Sequence, residues 1–293
     1  AAGAKVLLIE QTPNWGGRAP VDGGEIDGKP AVEWINDTLQ AIKKMKNVTL
    51  RTRLMGAGVY DHGYVLAYER LTEHLGPQED MPRQRLWRIR AQQIITASGA
   101  IERPLSFAGN DIPGVMLASA VRDYAVNYGV SVGDRTVVVT NNDDAYLTAI
   151  SLKNAGLVVP VVVDARPQGG GELMEQAKAL GIRVETGKAI AKVKGGKRVT
   201  GVAICAQAGE GAVLEEIECD AVAMSGGWSP VVHLWSHCGG KLIWDADHAM
   251  FRPDDTRPPT DQNGAGFVSC AGWANEDHGP PFTRLYSGGH DQR

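Results

Sequence analysis

Glu10 closes the run Lys5-Val6-Leu7-Leu8-Ile9, apolar from Val6 on, and a carboxylate at a strand end can accept hydrogen bonds from a pair of neighbouring hydroxyls. In a dinucleotide-binding strand–helix–strand unit, the acceptor for the adenine ribose lies roughly 20 residues after the phosphate-binding glycines. Counting back from Glu10 puts such glycines ahead of Ala1. A surface Glu capping its strand would look the same. The carboxylate disfavours a 2′-phosphate, so the ligand expected is NAD or FAD and not NADP. Gln11 follows, then Trp15-Gly16-Gly17-Arg18. Glycines there let the backbone pass close beneath a ligand, and Arg18 is suited to pair with a pyrophosphate; a plain surface turn is the alternative.

A second group of candidates is Ala97-Ser98-Gly99, where the run Gln93–Thr96 ends, followed by Arg103-Pro104 and the turn-forming Pro113-Gly114. Small residues at a strand end leave room for a ligand. Arg103 is either a ligand contact or a solvated charge. After the valine-rich Thr136–Thr140, a phosphate-binding loop is replaced by Asn141-Asn142-Asp143-Asp144. A helix start attracts phosphate, but two carboxylates there repel it and can cap the helix themselves. Ser225-Gly226-Gly227-Trp228-Ser229-Pro230 repeats the strand-to-small-residue junction. His233 and His237 lie four apart, yet no third ligand accompanies them, so no metal site is assigned. No Gly-x-Ser-x-Gly occurs, and no catalytic acid or base is assigned.

The elements that position these residues follow from periodicity. Lys5–Glu10 and Gln93–Thr96, centred on Ile94 and Ile95, read as buried strands that share one sheet. Gln11–Asp27 reads as a glycine-rich loop, and Pro30–Lys46 as an amphipathic helix with Val32, Ile35, Leu39, Ile42 and Met45 on one face. Leu54–Tyr60, Tyr64–Leu71 and Gln84–Arg90 alternate as antiparallel strands. Val115–Tyr128 reads as a helix. Thr136–Thr140, Asp144–Ala155 and Val158–Val163 form a second strand–helix–strand unit. Ile190–Val193, Arg198–Ala206 and Val213–Cys219 read as an antiparallel layer, with Ala221–Met224 and Gly266–Ser269 as parallel strands. The order strand, helix, strand, antiparallel layer, strand occurs twice. The fold expected is α/β: two interleaved Rossmann-like dinucleotide-binding domains of glutathione-reductase type, with antiparallel layers inserted. Residues 1–115 with 265–272 make the first domain, residues 116–264 the second, and residues 273–293 an irregular tail.

The 293 residues are 43% apolar and 22% charged, with a net charge of −4, as in a globular protein without a nucleic-acid footprint. No apolar run approaches the roughly 20 residues of a membrane span. Cys205, Cys219, Cys238 and Cys270 include no Cys-x-x-Cys, which argues against a zinc knuckle or redox dithiol and for reduced, cytoplasmic thiols. Without an initiator Met, the chain reads as a fragment of a longer protein.

With these residues in place, the sequence resembles the α-subunit family of heterotetrameric sarcosine oxidase, among amine- and opine-oxidising flavoprotein complexes. The matching segments are Lys5–Gln11, Trp15–Arg18, Val59–Tyr68, Ala97–Val115, Val137–Ala149, Ser225–Leu234, Gly239–Asp245 and Cys270–Gly272. The resemblance implies NAD (or FAD) bound in the first domain, with Gly272 in the final turn against it. It also implies a β-type partner subunit that oxidises a secondary amine at FAD, smaller subunits, and an FMN at the subunit boundary that passes electrons to oxygen. The family continues after Gly272 into an Ala-rich helix, from which Trp273–Arg293 departs as a truncation or frameshift would. The cofactor-binding candidates are therefore Glu10, Gln11, Gly16, Gly17, Arg18, Ala97, Ser98, Gly99, Arg103 and Gly272. Two alternatives stay open: an autonomous NAD- or FAD-dependent oxidoreductase without a dithiol, and a scaffold subunit holding a structural nucleotide.

Overall fold

The structure, a computed structural model, describes residues 3–209 and 211–272. The expected tail at 273–293 lies outside them. The described residues group into two units, residues 3–101 with 229–272 and residues 102–228. These limits differ from the expected 115/116 and 264/265. Val115–Leu117 is hydrogen-bonded into the second unit's sheet, and the segment after Pro230 packs in the first unit.

The first unit opens with β1 (Val6–Ile9), a four-residue helix α1 (Ala19–Asp22) and the short pair β2 (Glu25–Ile26) and β3 (Lys29–Pro30). The helix α1 and the strand β2 fall inside the stretch read as loop. The helix α2 (Ala31–Lys43) follows, with Pro30 at its N-cap in an extended conformation. Ile35 is buried, but Val32 and Met45 on the expected apolar face stay exposed. The strand β4 (Val48–Arg51) pairs parallel with β1. Next comes the antiparallel meander β5 (Leu54–Tyr60), β6 (Tyr64–Arg70) and β7 (Gln84–Arg90). Gly63 sits in its first turn at φ +64°, where a Cβ would overlap the carbonyl oxygen of Ala91, so the turn requires glycine. The strand β8 (Ile94–Thr96) ends this part, and the chain leaves through β9 (Ala100–Glu102).

The second unit contains β10 (Val115–Leu117), α3 (Ala118–Tyr128), β11 (Thr136–Thr140), α4 (Asp144–Asn154), β12 (Val162–Asp164), α5 (Glu172–Ala179) and β13 (Val184–Thr186). Then come β14 (Lys188–Gly195), β15 (Val199–Ala206), β16 (Val213–Glu218) and β17 (Ala221–Ser225). A parallel sheet runs in the order β10-β17-β11-β12-β13. Every residue of β11, β12 and β17 is buried, as for strands covered on both faces. Val138 and Val162 face Tyr146, Ala149, Leu152 and Leu173 from the helices. Val137, Val139 and Val163 face Ile190, Val202 and Ile204 from the antiparallel layer β14-β15-β16. Val115–Leu117, read as the first turn of a helix, is a strand because β17 supplies it a parallel partner.

The chain returns through β18 (Trp228–Pro230) to α6 (His233–His237), the antiparallel pair β19 (Leu242–Asp245) and β20 (Met250–Pro253), and β21 (Val268–Cys270). The last strand pairs parallel with β8. Thus β1 and β8 lie in separate two-stranded ladders, not in the common sheet expected, because no described strand joins β1 to β21. The same lack of neighbours explains why neither is a buried strand: Ile95 is 71% exposed, Val6 45% and Leu8 39%. No helix among the described residues is long and apolar enough to cross a membrane.

Candidate dinucleotide site

Three groups of candidate residues lie in the first unit. Glu10 follows β1 directly, held by backbone bonds to Arg51 and Leu54. Its carboxylate Oε1 accepts the backbone N–H of Thr12 at 2.7 Å, a local turn that fixes the side chain at the strand end. The carbonyl of Gln11 accepts Nη2 of Arg70 at 2.7 Å, a contact that no sequence pattern announced.

Gly16 and Gly17 form the turn into α1, at φ +111° and +57°. They serve different ends. A Cβ on Gly16 would lie 2.6 Å from Cδ1 of Ile35, so this glycine lets the turn press against α2. A Cβ on Gly17 would meet nothing within 4 Å. Arg18 pairs with Asp22 one turn on, Nη2 to Oδ1 at 2.9 Å and Nε to Oδ2 at 3.2 Å. Its fork therefore rests on a carboxylate of its own helix, and a pyrophosphate would have to compete with that pair.

The third group converges at the carboxyl ends of β8 and β21, where Thr96 stands opposite Cys270. The Thr96 hydroxyl reaches the carbonyl of Ser269 and Sγ of Cys270, and Ala271 N–H donates to the carbonyl of Thr96. Ala97, Ser98 and Gly99 continue from one strand and Gly272 from the other. Gly99 and Gly272 have φ of +70° and +61° with open space at the Cβ position. Ser98 donates its hydroxyl to the carbonyl of Val231 at 2.7 Å, which ties the turn to the returning chain. Carboxyl ends of parallel strands with no bulk above them are where α/β sheets receive ligands.

Arg103 is the exception. It belongs to the second unit, where its backbone exchanges hydrogen bonds with Gly226 and Gly227. Its guanidinium lies over Gly227, where a Cβ would come within 2.7 Å of Nη2.

The start of α4 is also organised differently from the expectation. Neither Asp143 nor Asp144 caps the helix with its side chain. The Asn142 side chain does that work: its Oδ1 accepts the N–H of Asp144 at 3.1 Å, while Nδ2 donates to Oγ of Ser225 at 2.9 Å. Asp144 instead faces Arg122, Nη2 to Oδ1 at 2.9 Å, with both side chains fully buried. Asp143 pairs with Arg166 at 2.7 Å, and Arg166 also grips Asp164, which accepts the hydroxyl of Tyr146 at 2.8 Å. The signal for Arg166 was an arginine two residues past an acidic strand end. Nearby, Glu102 is buried and accepts the N–H of Ser119 at 2.9 Å; burial holds its carboxyl above the usual carboxylate range.

No protein-family model matches the chain. It is 39% identical over 251 residues to sarcosine oxidase subunit alpha of Rhizobium meliloti (strain 1021), covering 85% of this chain and 24% of that protein. With sarcosine oxidase subunit alpha of Corynebacterium sp. (strain P-1) the identity is 41% over 260 residues, 86% of this chain and 27% of that protein. The chain thus spans about a quarter of the length of the curated relatives it matches. Among solved structures, thioredoxin reductase of T. acidophilum superposes with a TM-score of 0.67 at 16% identity, over 96% of this chain and 86% of that one. L-proline dehydrogenase of P. horikoshii does so with 0.62 at 19%, over 92% and 46%. Those likenesses show the fold, a Rossmann-type α/β architecture. The sequence identities carry further: the chain is homologous to a segment of sarcosine oxidase subunit alpha.

Proposed function

We propose that this chain is the dinucleotide-binding section of a flavin-dependent secondary-amine oxidase complex. The observation that carries the reading is the 38–41% identity to three sarcosine oxidase α subunits over most of the chain. In such a complex a β-type partner would hold the flavin at which sarcosine is oxidised, and an FMN would supply the route for electrons to oxygen. This chain then supplies binding and not proton transfer.

The residues of the first unit fit NAD or FAD in part. Glu10 presents a carboxylate at a strand end, and Gly17, Gly99 and Gly272 leave their Cβ directions open. Glu10 would accept the ribose hydroxyls, and Ala97–Gly99 with Gly272 would border the far end. Arg18 would reach a pyrophosphate only by giving up Asp22. In the second unit the Asn142 cap and the Asp143–Arg166 pair occupy the start of α4, where a phosphate would be received, which supports a single dinucleotide held in the first.

Glu10→Ala in the intact complex should weaken dinucleotide binding by about 1–3 kcal/mol through lost charge-assisted hydrogen bonds. Calorimetric titration of NAD and FAD measures this, with sarcosine-dependent peroxide formation followed in parallel. Unaltered affinity for both dinucleotides would remove Glu10 from the site. Turnover of NADH or amine by the α subunit alone would favour an autonomous enzyme.

A further inference from the structure

At the carboxyl end of the second unit's parallel sheet, the sheet and its antiparallel layer line an open cavity of about 210 Å³. Its walls come from the ends of β11 and β12, the start of β14, the residue after β15, and the segment 105–107. Ile190 and Phe107 supply apolar walls, Asn141 and Gln207 bring carboxamides, and Ser106 adds a hydroxyl. A carboxamide offers donors and acceptors together, which suits a ring whose edge carries both. Lys188 is the one cation in the lining, and its ammonium pairs with Glu185. No carboxylate lines the cavity. The volume falls below the roughly 300–1,000 Å³ of sites for drug-sized ligands, which limits the occupant to a ring system or two.

The neighbouring turn narrows the choice. A pyrophosphate needs free N–H groups at the start of α4. There the N–H of Asp144 is held by Asn142, and the carboxylates of Asp143 and Asp164 share Arg166. We propose that this cavity binds a neutral heteroaromatic ring of nucleobase size, recognised by Asn141 and Gln207 without any phosphate contact. The site is separate from the first-unit dinucleotide site and stands whether or not that reading holds.

The test is calorimetric titration of the intact protein with adenine, adenosine and AMP, with ligand-observed NMR as a second readout. Adenine and adenosine should bind, and AMP no more tightly than adenosine. Gln207→Leu, at the exposed rim, and Ala165→Leu, which narrows the cavity, should each weaken adenosine at least tenfold with the melting temperature unchanged. Failure of both adenine and adenosine to bind would overturn the proposal. So would binding indifferent to Gln207→Leu and Ala165→Leu. AMP binding tenfold tighter than adenosine would make the site an anion site of Lys188 and equally refute it.

Discussion

Asp144→Ala tests how the second unit is held together. Oδ1 of Asp144 accepts Nη2 of Arg122 at 2.9 Å, its backbone carbonyl accepts Nη1 at 3.0 Å, and neither side chain has any exposed surface. Truncation keeps the carbonyl bond but removes the carboxylate facing a guanidinium sealed between α3 and α4. At 2.9 Å and an effective dielectric of about 20, the lost attraction is on the order of 6 kcal/mol before desolvation is considered. Removing one member of a buried pair costs about 3–5 kcal/mol, against about 1 kcal/mol for a helix cap, the role expected for Asp144 from sequence. Arg122→Met alone should be similarly costly, whereas the double variant should cost at least ~2 kcal/mol less than the sum, since no charge is then left buried. Hydrogen exchange over α3 and α4 reads these energies locally, which suits a chain built of two units. A loss of only ~1 kcal/mol for Asp144→Ala, additive with Arg122→Met, would refute the argument.

Three further outcomes are expected. Gly16→Ala places a Cβ 2.6 Å from Ile35 at φ +111° and should destabilise the first unit by about 2–3 kcal/mol, measured by the urea midpoint, against about 1 kcal/mol for Gly17→Ser, which adds only left-handed backbone strain. Glu102 has a folded pKa above its unfolded value, so its stabilising contribution is complete below the unfolded pKa and is lost as pH rises through the folded one. Glu102→Gln keeps an acceptor for Ser119 and should therefore gain stability over the parent at pH 8 but not near pH 4; equal effects at both would contradict the burial argument. All four cysteines are buried, and burial pushes Cys219 up to about 11, so native alkylation at pH 8 should be slow and unfolding should expose all four; rapid native labelling of Cys219 would count against its placement.

The sequence by itself determined the central strands β11 and β17 of the second sheet and most of the first unit's meander. Runs such as Thr136–Thr140 are β-branched at every position, and the limits of Leu54–Tyr60 and Gln84–Arg90 follow from alternation broken by turn residues. These are short-range signals that survive without knowledge of neighbours. The place of Glu10 at a strand end and the bulk-free turn at Ala97–Gly99 were legible for the same reason. What each charged group faces was not. Arg122 looks from sequence like a solvated helix residue, and only the packing of α3 on α4 buries it against Asp144, 22 positions away. Asn142 meets Ser225 across 83 residues because β11 and β17 are adjacent in the sheet. Val115–Leu117 became a strand, and Ile95 stayed exposed, through the presence of one neighbour and the lack of another. Periodicity reports which face of an element is apolar, but a hydrogen-bond or charge partner is chosen by position in space. That position exists only once the layers have packed.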